Sequence, residues 1–342
     1  MRSVTIHSVA KECGMSTTTV SRVLSGSDYP VKQVTKQMIL EAAEKVGYVP
    51  NMIARGLKTK IINEVAVIVP SVQYPFYTSL VEGAESSLID SNYCMSLYLT
   101  DNYERHLDLF ANNLVGKMMT GIIIAADSLT PQIHNILSKL NKNNDLNIIA
   151  VDYQKKDCEF PGIYFDFNKG TQLAVSYLLN KGHSRIAFAF SLLDRETRKE
   201  RMAGITAGLQ ERNKNNISKH VFESSEKDGF LAGIELANTI CSSHENYTAV
   251  AAGNDALAAG LLAGLNERNI RVPDDISVIG FDDCIYALMC RPALTSVHVP
   301  SRQMGSLAAQ MLLGKLGGND SATNIFMESK VIERASVKSL LP

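Results

Sequence analysis

Between residues 64 and 281 the chain alternates short apolar runs with longer amphipathic stretches, and this alternation limits the folds open to it. The runs EVAVIVP (64–70), CMSLYLT (94–100), TGIIIAA (120–126) and LNIIAVDY (146–153) are separated by helical patterns near 77–92, 103–119 and 130–143. A second round follows: GIYFDF (162–167), RIAFAF (185–190), HVFES (220–224), YTAVAAG (247–253) and ISVIGF (276–281), with helices near 169–182, 197–213, 228–243 and 255–269. A strand that is apolar on both faces must be covered on both, which calls for parallel sheets flanked by helices. Two rounds predict two doubly wound lobes. LTSVHVP, a helix at 301–316 and NIFMESKVIERASV are too short for a third lobe; they are expected to cross back and give each lobe an element. The expected division is lobe 1 at 62–164 and 295–325, and lobe 2 at 165–292 and 326–342.

Residues 5–24, TIHSVAKECGMSTTTVSRVL, read differently. Ile6, Val9, Ala10 and Cys13 fall at i, i+3, i+4 and i+7, one face of a helix. Thr5 stands at its N-cap and Gly14 at its left-handed end. Ser16 caps a second helix whose Val20, Val23 and Leu24 point inward, leaving Thr17, Thr18, Ser21 and Arg22 on the outer face. Helices this short with a three-residue break have helix-turn-helix geometry. Small hydroxyl side chains allow close approach to a major groove, and an arginine can fork onto guanine O6 and N7. Residues 32–47 form a third helix with Met38, Ile39, Ala42 and Val46 inside, ended by Gly47 and Pro50. In NMIARGLKTK (51–60), Asn51 can cap about two helical turns, too few to hold a helix alone in water. Arg55, Lys58 and Lys60 suit phosphates, and Leu57 suits a minor-groove wedge in a segment ordered by DNA. The expected units are 1–49, a linker at 50–61, and a body at 62–342.

The 342 residues are 45% hydrophobic and 20% charged, enough for more than one globular domain. Net charge is -1, but residues 1–60 hold nine Lys and Arg against four Asp and Glu, and the rest hold 25 against 31. A basic head on an acidic body is the footprint of a nucleic-acid module joined to something else. The six cysteines (13, 94, 158, 241, 284, 290) form no CxxC or metal-type spacing, so they read as reduced thiols. No apolar signal stretch or spanning segment is seen, which predicts a cytoplasmic protein. No metal or cofactor is expected. Asp282-Asp283 has no His or third carboxylate beside it in sequence. GxxxxGK[ST], GxSxG and HExxH are absent, which argues against a kinase or hydrolase.

Taken together, VTIHSVAKECGMSTTTVSRVL (4–24), GYVPNMIARGL (47–57), YPFYTSLVEG (74–83), GHSRIAF (182–188), the RxTxxxR run (195–201), AAGNDALAAG (251–260) and ISVIGFDD (276–283) resemble the LacI/GalR family of bacterial transcription regulators along the whole chain. The resemblance implies an all-α helix-turn-helix headpiece and an α/β, two-lobed body like the type I periplasmic sugar-binding proteins. It places Thr17, Thr18 and Arg22 at base edges, and Thr5, Ser16, Ser21 and Asn51 at the DNA backbone or at helix caps. Leu57 matches the leucine that opens the central operator step. Between the lobes it implies an effector, a sugar or derivative, near Phe76, Tyr77, Asp152, Arg195, Thr197, Arg201, Asn254 and Asp282. These follow strand ends, where open parallel sheets bind ligands. Arg195 beside Arg201 leans toward an acidic ligand such as a sugar acid or sugar phosphate. Asp228 stands where many relatives carry an aromatic, and Val299 and Pro300 where they often carry a polar or aromatic residue.

The expected protein is a homodimeric repressor, because one headpiece touches too few bases and two read a near-palindrome. The chain given ends at Pro342 without a heptad tail, so no tailed tetramer is expected. Rival readings are a solute-binding transport protein, a sugar-processing enzyme, and a catabolite-control regulator whose co-effector is a phosphorylated carrier protein. Arg22→Ala is expected to remove about 1–3 kcal/mol of discrimination against wrong bases, measured by competition between DNA sites. Leu57→Ala is expected to reduce DNA bending, read by gel mobility of permuted fragments.

Overall fold

The computed structural model describes residues 4–24, 30–48, 63–100, 107–116, 119–125, 130–144, 146–151, 159–191, 197–210, 218–319 and 323–341. The chain forms two compact units, Met1–Asn63 and Glu64–Pro342.

In the first unit, α1 (Ile6–Cys13), α2 (Thr17–Leu24) and α3 (Gln33–Val46) pack around Val9, Val20 and Ile39, all fully buried. Gly14 and Gly47, each at φ 68, end α1 and α3 in the left-handed region where a side chain is strained. Lys45 reaches Glu12 at 2.5 Å on the surface between α3 and α1. The inner face of α3 differs from expectation at one residue. Ile39, Ala42, Ala43 and Val46 face the core, while Met38 is 44% exposed. The inward set runs i, i+3, i+4, i+7, and Met38 lies about 40° beyond the edge of that stripe at Ala42.

The second unit contains two six-stranded sheets. The first is ordered β11-β5-β4-β3-β1-β2, the second β12-β10-β9-β8-β6-β7. Their strands are β1 (Glu64–Val69), β2 (Cys94–Leu99), β3 (Gly121–Ala125), β4 (Asn147–Val151), β5 (Gly162–Phe165) and β11 (Ile325–Met327) in the first. The second holds β6 (Arg185–Phe190), β7 (Ser218–Glu223), β8 (Ala249–Ala252), β9 (Ser277–Asp282), β10 (Thr295–His298) and β12 (Lys330–Ile332). Every pair is parallel except β10–β12, where the short return from β11 brings the last strand back antiparallel at an edge. Central strands such as β3 are buried at every residue. Helices α4 (Pro75–Asp90), α5 (Leu107–Gly116), α6 (Pro131–Asn144) and α12 (Ser301–Leu316) serve the first sheet. The second has α7 (Phe167–Asn180), α8 (Arg198–Gln210), α9 (Gly229–Ser242), α10 (Asp255–Glu267) and the short α11 (Ile285–Met289).

The closing segment crosses back as expected, with α12 and β11 serving lobe 1 and β12 serving lobe 2. Both crossing points differ: β10 pairs in the second sheet, so residues 295–298 belong to lobe 2 and the chain leaves it after His298, and β11 pairs in the first sheet through Met327, so the return to lobe 2 comes after 327 and not after 325. Among the described residues no helix is long and apolar enough to cross a membrane.

In lobe 1, α4 and α12 meet backbone to backbone. A Cβ on Gly83 would stand 1.9 Å from the Arg302 carbonyl oxygen, and one on Gly305 1.9 Å from that of Leu80. Arg302 pairs with Glu82 at 2.8 Å, and the Ser87 and Ser306 hydroxyls meet at 2.8 Å, across the same seam. Gly305→Ala forces backbone apart and is expected to lower stability by about 1–3 kcal/mol, measured by denaturant unfolding.

Candidate functional site

The outer face of α2 carries exposed Thr18 and Arg22 and half-buried Thr17 and Ser21. Thr5 precedes α1 with extended backbone, and its N–H donates to Ser8 Oγ at 3.3 Å. Ser16 is engaged as a cap: its Oγ accepts from the Thr19 N–H at 3.1 Å and meets the Thr19 hydroxyl at 2.8 Å. Asn51, Arg55 and Leu57, and in the body Asp152 and Arg195, lie outside the described residues.

The body places its polar side chains where strands end and helices begin. Short side chains there accept the orphan amides of each first turn. Asp166 caps α7 at Lys169 N, Asn254 caps α10 at Leu257 N (both 2.8 Å), and Asp228 caps α9 at Phe230 N and Leu231 N. Asn254, expected at the effector, thus has its Oδ1 engaged by its own helix. Asp228 likewise replaces an aromatic with a cap.

Phe76 and Tyr77 sit in the first turn of α4, after β1. Their rings meet edge to face at 5.1 Å, with Phe76 half-buried and Tyr77 buried. On lobe 2, Arg201 is 4% exposed. Its Nε donates to Thr197 Oγ1 at 2.9 Å. Its guanidinium lies 4.6 Å from the Phe167 ring centre and 4.1 Å from that of Phe281, two rings that stack on each other. Cation–π contact with two rings steadies a buried charge. Arg198 lies 4.1 Å over the Phe190 ring and pairs with Glu223, while Lys199 is exposed.

Asp282 and Phe76 line one cavity of about 510 Å³, together with Asp283, Cys284 and His298 and the facing edges of α4 and α12. Of the expected effector residues, this cavity brings Phe76 and Asp282 together; Tyr77 packs on Phe76, and Arg201 on Phe281 beside Asp282.

The loop after β9 is strained and held from beneath. Asp282 and Asp283 have φ of 108 and 57; aspartate tolerates the left-handed well that Asp283 occupies, but Asp282 lies beyond it and is held there by its surroundings. Fully buried Asp255 supplies part of that support: its Oδ2 accepts from Cys284 N at 2.8 Å and its Oδ1 from Ser296 Oγ at 2.6 Å. Ser296 Oγ in turn accepts from Asp283 N at 3.1 Å. Asp283 is clamped by Arg334 Nη2 at 2.6 Å and His298 Nδ1 at 2.9 Å. A histidine therefore does stand beside the paired aspartates, brought by β10, but Arg334 holds the other Asp283 oxygen and makes the group an ion-pair network. Burial works against the charge on Asp283, yet the bonds from His298 and Arg334 outweigh it and hold its carboxyl below the usual range. Burial pushes Asp255 up to about 7, against the lowering effect of its bonds to Ser296 and Cys284. Among the described residues no group of His, Cys, Asp and Glu is placed to hold a metal ion.

A helix-turn-helix unit in one chain with two parallel sheets that share a cleft defines a ligand-controlled, DNA-binding transcriptional repressor. Residues 5–51 match the family described as bacterial regulatory proteins, lacI family, and residues 175–337 match the periplasmic binding protein-like domain. The chain is 31% identical over 342 residues to the HTH-type transcriptional repressor PurR of Vibrio atlanticus (strain LGP32), covering 98% of this chain and 99% of that one. It is 32% identical over 312 residues to catabolite control protein A of Priestia megaterium, covering 91% and 92%. Its fold matches the Lac repressor dimer bound to operator and the anti-inducer ONPF, with TM-score 0.82, 22% identity, and 98% and 100% of the two chains covered. The chain belongs to the lacI family of bacterial regulatory proteins.

Asp255→Ala strands the Cys284 amide and is expected to cost about 1–3 kcal/mol. Asp255→Asn mimics the neutral acid. Asp255 has a native pKa raised above its unfolded value, so the native state holds the extra proton between the two. Wild type is expected to lose stability relative to Asp255→Asn as pH rises from about 4 to about 7. Denaturant unfolding at a series of pH values checks both.

Proposed function

We propose that this protein is a cytoplasmic homodimer that represses a carbohydrate-related operon and responds to a sugar, sugar acid or sugar phosphate held between its lobes. The observation that carries the reading is the cavity of about 510 Å³ shared by Phe76 of lobe 1 and Asp282 of lobe 2. An aromatic face covers C–H patches and a carboxylate accepts from hydroxyls, the pairing a polyol needs. Tyr77, Thr197 and Arg201 stand close behind these two. Asp152, Arg195 and Asn254 complete the proposed set.

On the DNA side, Thr17, Thr18 and Arg22 face base edges. Thr5, Ser16, Ser21, Asn51 and Arg55 serve the backbone or the caps, and Leu57 is the wedge. Effector and operator are coupled because closing the lobes changes how two hinges can pair, and the coupling is reciprocal, on the order of 1–3 kcal/mol. The match to catabolite control protein A supports a second reading, in which a phosphorylated carrier protein is the co-effector. A pull-down with that carrier in both phosphorylation states separates the two.

A thermal-shift screen with sugars, sugar acids, sugar phosphates and nucleobases tests the effector class. A true effector at a hundredfold excess over its Kd stabilises by about 2.7 kcal/mol. Asp282→Asn, chosen because Asn tolerates positive φ, is expected to lose that shift while duplex DNA binding survives. A full shift in the variant sinks the assignment, and a hit confined to nucleobases replaces the carbohydrate class.

A further inference from the structure

The three passages of chain between the sheets all leave from the same edge: β5 to α7, β10 to α12, and β11 to β12. Tyr74 stands toward the opposite edge. It follows β1, three strand positions from β5, and faces the loop after β7, four positions from β10. There its hydroxyl donates to the Lys227 carbonyl oxygen at 3.2 Å, joining lobe 1 to lobe 2.

Both ends of this bond are stiff. Tyr74 is the N-cap residue of α4, fixed by Pro75 at the first helical position, and its ring packs edge to face on Tyr77 at 6.4 Å. On the other side, Glu226 Oε1 accepts from Lys227 N at 2.7 Å and Asp228 N at 3.1 Å. Glu226 N donates to Ser224 Oγ at 3.0 Å, and Asp228 is locked as the cap of α9. The loop can offer its carbonyl in one place only.

We propose that Tyr74 is a positioning residue for the effector response: its bond to Lys227 sets the lobe spacing around Phe76 and Asp282. At about 4.8 Å per strand the contact lies about 14–19 Å from the crossing edge. A rotation of about 10° about that edge separates the two groups by about 3 Å, beyond hydrogen-bond reach. The bond therefore discriminates between closed and slightly open bodies, which contacts near the hinge do not. The inference rests on the cleft being the effector site.

The test needs neither effector nor DNA, so its failure is distinct from failure of that reading. Genetically encoded spin labels at positions 90 and 244, exposed sites on the two lobes, are placed in the full chain and diluted into unlabelled chain. Pulsed electron resonance then reads the distance within one protomer. Tyr74→Phe keeps the ring and removes the hydroxyl, and is expected to lengthen the mean distance by about 3 Å at an unchanged melting temperature. Glu226→Ala frees the loop and is expected to do the same, and the double variant no more than the larger single effect. A wild-type distance in Tyr74→Phe overturns the proposal, as does an additive double variant. If Tyr74→Phe melts early, Glu226→Ala alone decides by the same criterion.

Discussion

The body passes its chain between two sheets three times, and each passage lies at the edge where β5 and β11 stand over β10 and β12. That placement leaves the lobes a single line about which to turn. The two sheets present the carboxyl ends of their strands to one another, so whatever binds between them resists or favours that rotation. Within lobe 1, α4 and α12 pack backbone against backbone. Small changes near the crossings become larger ones at the ends of β1 and β7, where a single hydrogen bond can register them.

The cleft is lined by residues that lobe 2 holds under tension. Two consecutive aspartates at positive φ persist because Ser296 and His298 of β10 and Arg334 after β12 bond Asp283, while Asp255 at the start of α10 holds Ser296 and the Cys284 amide. Asp282 and Asp283 both line the cavity, and Asp283 is tied to Arg334 and His298. Arg201 is steadied differently, by Thr197 and by two aromatic rings. Such devices settle side-chain directions that an exposed loop alone would leave free.

Local patterning carried much of this protein into its sequence. Periodicity of apolar residues placed the three headpiece helices, and continuous apolar runs marked the parallel strands, because burial on one or two faces writes itself into neighbouring positions. Polar residues just after those runs marked the carboxyl ends of the sheets, and so the cleft. Met38 shows the limit: a stripe read one residue too wide includes a side chain that faces water. The roles of Asn254 and Asp228 were hidden for a similar reason, since a cap and a ligand contact use the same short polar residues at the same strand ends.

Tertiary structure decided what depends on distant segments meeting. Asp255, Ser296 and Cys284 lie 41 and 29 residues apart, Asp283 and Arg334 51, and Tyr74 and Lys227 153. No local pattern encodes such pairings, because the energy that selects them appears only once both sheets have formed. The sequence by itself determined the helix-turn-helix unit and the two-lobed class, through periodicities shorter than a single element. The fold alone decided that Asp283 is held by Arg334 and His298, that Arg201 is stacked on two rings, and that β10 stays with the second sheet, since strand order and buried ion pairs are settled by packing between elements.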